Sequence, residues 1–211
     1  MRAEVEAKFV ADDPAALAAL ASAPSLGFAS LGPARVVAET DRYLDTPEGA
    51  LAAARWACRL REREGVTRLS LKGPAEVTDG AWHHRRPEVE GPATASVDPT
   101  DWPESDARRT LAELAGEAEL VERLELRQER TERPAIADGE PVATLSLDVV
   151  DVLQGGWMLG RMLIVELELA SDEALRADRF EALAAELAAR PGLHPDPRTK
   201  LEHALEMLDG R

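Results

Sequence analysis

Glu4, Glu6 and Lys8 stand two residues apart near the start of the chain, and that spacing of polar groups recurs along it. Arg59, Arg61 and Arg63 repeat it, as do Ser70 with Lys72, and then His84, Arg86, Glu88 and Glu90. Ser146 and Asp148 follow, and finally Glu166 and Glu168. Groups at i and i+2 project from one side of an extended strand. The residues between them include Val5, Ala7, Cys58, Leu60, Leu69, Leu71, Leu145, Leu147, Val165 and Leu167, so the opposite side is apolar. Paired carboxylates are hard oxygen donors that suit a hard divalent cation such as Mg²⁺, which also takes oxygens from substrate phosphates. Arginine forks match phosphate oxygens, and lysine serves as a mobile point charge. Together the two sets fit phosphoryl chemistry on a multiply charged, metal-bridged ligand. Ordinary amphipathic strands, with the charged face in water, give the same pattern. Closure of the sheet separates the two readings. In a closed sheet the charges face a lumen, where neither sign is tolerated without the other.

The elements that must position these groups follow from period. Alternation predicts strands over 4–10, 36–44, 56–64, 67–72, 81–90, 122–133, 142–153 and 157–170. Glu64-Gly65, Asp138-Gly139 and Gly155-Gly156 are hairpin signals, which make the neighbouring strands antiparallel. Asp13-Pro14 opens a helix over 15–23, and Thr46-Pro47 opens a short one over 48–55. Further helices are predicted over 103–120, over 171–190 up to the stop at Pro191-Gly192, and from Asp196-Pro197 to Leu208. Residues 91–102 form a surface loop, and the strand pattern resumes beyond it. The reading is one domain, 1–211, of the α+β class: an eight-stranded antiparallel β-barrel, or tunnel, with helices packed outside.

Composition narrows the function. The chain has 211 residues, with 25 Lys and Arg against 40 Asp and Glu, a net charge of −15. So acidic a chain is a poor ligand for nucleic acid or an anionic membrane, and neither is expected as a partner. Cys58 is the one cysteine, which excludes an internal disulfide and any CxxC site. The opening MRAEVEAKF has no apolar run of leader or membrane-span length, so a cytoplasmic location is expected. His83 and His84 are adjacent and would face opposite sides of a strand, so they cannot chelate together. Trp56, Trp82, Trp102 and Trp157 are expected as core or loop anchors. No Walker loop, zincin motif or nucleophile elbow is present.

Glu4-Val5-Glu6-Ala7-Lys8 resembles the ExExK signature of the CYTH proteins, the triphosphate tunnel metalloenzymes. Arg42-Tyr43-Leu44-Asp45-Thr46-Pro47 is similar to their RYxDTP segment, Arg59-Leu60-Arg61 to LRxR, and Leu69-Ser70-Leu71-Lys72 to (T/S)LK. Arg86-Pro87-Glu88-Val89-Glu90 resembles RxExE, Asp148 the late aspartate, Glu166-Leu167-Glu168 the ExE pair, and Thr199-Lys200 the C-terminal Ser-Lys. The resemblance spans about residues 4 to 200. It implies an eight-stranded tunnel and Mg²⁺- or Mn²⁺-dependent attack on a phosphoanhydride. The implied metal ligands are Glu4, Glu6, Glu166 and Glu168, with Asp148 supporting the metal or its waters. Lys8, Arg59, Arg61, Lys72, Arg86, Arg130 and Lys200 would bind the triphosphate, with Lys8, Glu4 and Glu6 closest to the chemistry. Glu88 and Glu90 would line the tunnel. Arg127 competes with Arg130 for the inward position, since one register step separates their faces. Pro87 predicts an edge or a bulge in its strand. The implied activity is hydrolysis of inorganic tripolyphosphate to pyrophosphate and phosphate. A class IV adenylyl cyclase, a thiamine triphosphatase and a non-catalytic polyphosphate-binding module are the alternatives. The expected partner is a small-molecule triphosphate, and a homodimer is compatible with the reading.

Overall fold

The computed structural model describes residues 2–74, 76–77, 83–170 and 177–210. The first half holds β1 (Arg2–Ala11), α1 (Pro14–Ser22), β2 (Ser25–Leu26), β3 (Ala29–Leu31), β4 (Arg35–Asp45) and α2 (Ala50–Ala53). There follow β5 (Ala57–Arg63), β6 (Val66–Lys72), β7 (Glu76–Val77) and β8 (His83–Pro92). The second half holds α3 (Asp106–Ala115), β9 (Val121–Ala137), β10 (Glu140–Gln154), β11 (Trp157–Leu169), α4 (Ala177–Ala188), β12 (Leu193–Pro195) and α5 (Lys200–Asp209).

The three hairpin signals act as read. Glu64 and Gly65 have φ of 53° and 77°, Asp138 and Gly139 of 54° and 81°, and Gly155 and Gly156 of 55° and 83°. Two successive positive φ values make the tight turn whose twist matches the strands it joins. The fold is α+β, built on one antiparallel sheet of twelve strands rather than eight. The long strands are paired in the order β10-β11-β1-β8-β6-β5-β4-β9, and β9 also pairs with β10 along Glu140↔Ala137 to Leu153↔Glu125. The four additional strands, β2, β3, β7 and β12, are two or three residues long, too short for any periodicity to reveal.

Apolar faces turn toward the helices. Ala7, Phe9, Leu145, Leu147, Val165 and Leu167 pack with Leu17 and Leu20 of α1 and Phe180, Leu183 and Leu187 of α4. Cys58, Leu60, Leu69 and Leu71 pack with Leu111 of α3 and Trp102. Leu124, Leu126, Val150, Val152, Met162 and Ile164 surround Ala204 of α5. Trp102 is an anchor, its Nε1 donating to the Ser96 carbonyl at 2.8 Å, but Trp157 beside the Gly155-Gly156 turn is 77% exposed and anchors nothing. Trp82 lies outside the described residues.

Pro87 does not make β8 an edge, because β8 is paired on both sides, with β1 and with β6. The Pro87 carbonyl accepts from Gly73 N at 2.9 Å, one residue beyond the last β6 pair, Lys72↔Glu88. The missing N–H therefore faces the place where the β6 ladder has already ended. Gly73 is required there: a Cβ would stand 2.7 Å from Pro87 Cγ and 3.0 Å from the Trp56 ring. Arg133 ties the N-terminal segment to the sheet without any carboxylate. Its guanidinium donates to the carbonyls of Leu20, Ala21, Ala23, Leu31 and Gly32, three of them at the C-terminal end of α1, where a cation suits the helix dipole. No described helix is long and apolar enough to cross a membrane.

Candidate active site

The charged faces meet on the side of the sheet opposite the first two clusters, the same side on which α5 and the third cluster pack. A cavity of about 810 Å³ is lined by Lys8, Arg59, Arg61, Lys72, Arg86, Arg130 and Lys200 together with Glu6, Glu88, Glu90, Glu166 and Glu168. On β1, Glu6 and Lys8 are buried on this side while Ala7 and Phe9 are buried in the core on the other. Lys8 Nζ lies 2.9 Å from Glu6 Oε1, and Arg86 Nη2 donates to the same oxygen at 2.6 Å. Strand register sets Glu6 opposite Glu168, and sets Glu166 between Lys8 and Ser146. Lys72 Nζ is 3.4 Å from Glu88 Oε1, which also accepts from Ser70 Oγ at 2.9 Å.

The Arg127 and Arg130 alternatives separate by face. Arg130 is buried, bound to Asp148 by Nε at 2.8 Å and Nη2 at 2.7 Å, and to Glu166 at 2.6 Å. Arg127 is exposed and pairs with Glu125. Lys200 is buried as well, although it starts a helix. Thr199 caps α5, its side chain accepting from Glu202 N while Glu202 accepts from Thr199 N. This cap fixes the first turn with Lys200 pointing inward, where it pairs with Asp148 and reaches Glu166 at 3.1 Å and Gln128 at 3.3 Å.

Not all of the predicted groups contact the cavity. Asp148 is fully buried behind Arg130 and Lys200 as their shared counter-ion, and it does not line the cavity. Glu4 lies opposite Arg86 in the β1–β8 register, and its side chain, like those of His83 and His84, lies outside the described residues. Glu90 is at the exposed rim, beside Arg68 at 3.8 Å.

Sequence reasoning missed three inward residues, Glu39, Asp41 and Gln128. Asp41 accepts from Arg61 Nε and Nη2, each at 2.7 Å, and from Arg59 at 3.3 Å. Glu39 accepts from Arg63 at 2.9 Å and Gln128 at 2.7 Å, and lies 3.2 Å from Arg61. The signal was present: Glu39, Asp41 and Tyr43 alternate within 36–44, as Gln128 does with Arg130.

Electrostatics follow these contacts. Burial pushes the Asp41 carboxyl up, but the charges of Arg59 and Arg61 and the Arg61 bonds outweigh it and hold the group well below the ordinary carboxylate range. Glu166 behaves likewise: burial is opposed by Lys200, Arg130 and Lys8, and the net shift is far downward. Burial also raises Glu88, and Lys72, Arg59 and the Ser70 bond bring it below its usual value. Arg130 is depressed by burial but raised further by Asp148 and Glu166, so it stays charged. Cys58, with no such partner, is pushed up to about 12 by burial and is an inert thiol.

Among the described residues no three His, Cys, Asp or Glu side chains are already gathered around a metal position. The donor chemistry nonetheless fits a hard divalent cation, since Glu6, Glu166, Glu168 and Ser146 offer the cavity only oxygen. What the arrangement can hold is an anion with several phosphate oxygens, gripped by cations on five strands and on α5.

A family model for the CYTH domain matches residues 2–204. Comparison with curated protein sequences returns no match. Among solved structures the chain is similar to HpAC1 of Hippeastrum, a proposed adenylyl cyclase with a dominant triphosphatase activity. The TM-score is 0.69 at 20% identity, covering 96% of this chain and 95% of that one. It is also similar to a proposed adenylate cyclase of Bacillus halodurans, with TM-score 0.60, 18% identity, and coverage of 96% and 98%. For the PH1819 protein of Pyrococcus horikoshii the TM-score is 0.56 at 18% identity, covering 95% and 98%.

Proposed function

This chain belongs to the CYTH domain family, and from that premise we propose that it is a divalent-metal-dependent triphosphatase whose substrate is inorganic tripolyphosphate. The observation that carries the reading is the cavity itself, in which seven predicted anion-binding cations and the Glu6, Glu166 and Glu168 carboxylates share one space. The run of eight long paired strands, with the additional β9–β10 pairing, supports a tunnel around it. HpAC1, in which triphosphatase activity dominates over a proposed cyclase role, supports hydrolysis over cyclisation.

Lys8, Arg59, Lys72, Arg86 and Lys200 bind the phosphate oxygens, and water exclusion from the lumen strengthens those contacts. Glu6, Glu166 and Glu168, with Glu4, would hold Mg²⁺ or Mn²⁺, which supplies Lewis-acid polarisation of the phosphoryl oxygens when bound. Water attacks the terminal phosphorus, the bond to the bridging oxygen breaks, and pyrophosphate leaves. A carboxylate of the Glu6–Glu168 pair takes the proton of the attacking water. Lys8, held beside Glu6, neutralises charge on the leaving group. Asp148 acts through Arg130 and Lys200, holding both aimed inward.

Phosphate release from tripolyphosphate, ATP and thiamine triphosphate, each with Mg²⁺, Mn²⁺ or EDTA, tests the proposal. Release from tripolyphosphate that EDTA abolishes supports it. Cyclic AMP and pyrophosphate from ATP, with no phosphate from tripolyphosphate, replaces it with the cyclase. Tight tripolyphosphate binding without turnover replaces it with the binding module.

A further inference from the structure

Two arginines at the rim of the cavity differ from every other cation that lines it. Lys8, Arg59, Arg61, Lys72, Arg86, Arg130, Arg198 and Lys200 each have a carboxylate within ion-pairing distance. The guanidinium groups of Arg55 and Arg123 are exposed, line the same cavity and have no partner among the described residues.

Arg55 also occupies an unusual backbone position. The α2 helix ends with Arg55 N–H donating to Ala52 O and Trp56 N–H to Leu51 O, each at 2.9 Å. This is the helix stop in which the residue after the cap turns left-handed, a place that glycine takes most easily. Arg55 stands there with φ of 61°. The other positive-φ residues with side chains, Glu64 and Asp138, open hairpin turns in which Asn and Asp are common. An arginine where glycine costs less, with its fork unpaired at the cavity, is a backbone outlier that points to a role for the side chain.

We propose that Arg55 and Arg123 form an outer anion subsite that holds phosphoryl groups beyond the third, so that the chain binds linear polyphosphate of four or more units. The proposal rests on the triphosphatase reading for the placement of the first three phosphoryl groups. Arg55 is four residues from Arg59, at most about 14 Å along the chain, and Tyr43 pairs with Arg59 on one side and with Leu124, the neighbour of Arg123, on the other, so both arginines are within reach of a ligand extended from Arg59. A neutral organic extension would gain little from two unpaired guanidinium groups, whereas each added phosphoryl group brings the charge and oxygens that an arginine fork fits.

The test compares tripolyphosphate with tetrapolyphosphate in wild-type protein, Arg55→Gly, Arg123→Gln and the double variant. Dissociation constants come from calorimetry in EDTA, and kcat/KM from phosphate release with Mg²⁺. Arg55→Gly installs the residue that the turn favours, so its Tm stays level or rises and the side chain alone is lost. Each single variant is expected to reduce the preference for tetrapolyphosphate about fivefold, and the double variant about 25-fold, with tripolyphosphate affinity held within about twofold. An unchanged preference, or equal losses for both ligands, overturns the proposal. So does wild-type protein that binds tetrapolyphosphate no more tightly than tripolyphosphate, even if hydrolysis is confirmed. Wild-type protein that shows the preference but releases no phosphate overturns the triphosphatase reading and leaves this subsite standing.

Discussion

On the β4–β5–β9 side of the lumen, cations are fixed by forks: Arg61 meets Asp41 through two 2.7 Å bonds, and Arg63 is shared between Glu39 and Glu132. On the β1–β6–β8 side, Lys8 and Lys72 are ammonium groups beside Glu6 at 2.9 Å and Glu88 at 3.4 Å. A lysine can turn from such a contact toward an incoming phosphate at small cost. Arg61 cannot do so without taking both of its 2.7 Å bonds from Asp41, which has no exposure to solvent and would be left with longer contacts to Arg59 and Gln128. The β4–β5–β9 side is therefore the more rigid of the two, and under the proposed function the lysines of the other side, helped by Arg59 and Arg86, grip the phosphates.

The largest expected effect is on the more rigid side. Asp41→Ala leaves Arg59 and Arg61 without their shared carboxylate and destabilises the fold by about 3–5 kcal/mol, read from urea denaturation. A loss below about 1 kcal/mol would erase the distinction between the two sides. Next comes Glu168→Gln, expected to lower kcat for tripolyphosphate about a hundredfold while the urea midpoint stays in place. Full turnover with reduced stability would reverse the assignment. Lys72→Ala is smaller again, raising KM about tenfold with kcat and stability nearly unchanged. If kcat falls and KM does not, Lys72 acts on the reacting phosphorus rather than as grip.

The smallest effect is on acid sensitivity. Asp41, Glu88 and Glu166 have folded values below their ordinary ones. Their contribution to stability is therefore complete above about pH 4, where unfolded carboxyls ionise, and is lost as pH falls through the folded values. Urea midpoints measured downward from pH 5 are expected to drop, and to drop less steeply in Asp41→Asn. An equal slope in that variant would place the proton uptake elsewhere.

Much of this architecture was legible because alternation and two-residue turns are local. The strand around Arg59, Arg61 and Arg63, the turn at Glu64-Gly65 and the strand back to Lys72 could be read in order. Asp41 carries no local sign of its own, because the resemblance there begins at Arg42, which itself points outward to Glu122 at 2.6 Å. Pro87 misled because a proline signal says nothing about where the neighbouring ladder stops. The buried state of Lys200 had no local sign, since a lysine at a helix start is usually solvated and only the docking of α5 carries it inside. The separation of Asp148 from the cavity was equally hidden, because a strand face tells which side a carboxylate is on and not which cations reach it first.

The clamp made by Arg133 also has a temporal side. Its carbonyl acceptors at Leu20 and Gly32 precede it by 113 and 101 residues. At about 5–20 residues per second, a ribosome delivers Arg133 roughly 5–20 s after the segment that it secures. The α1 region of the nascent chain therefore waits unlatched through about half of synthesis, and its latching cannot precede the delivery of β9.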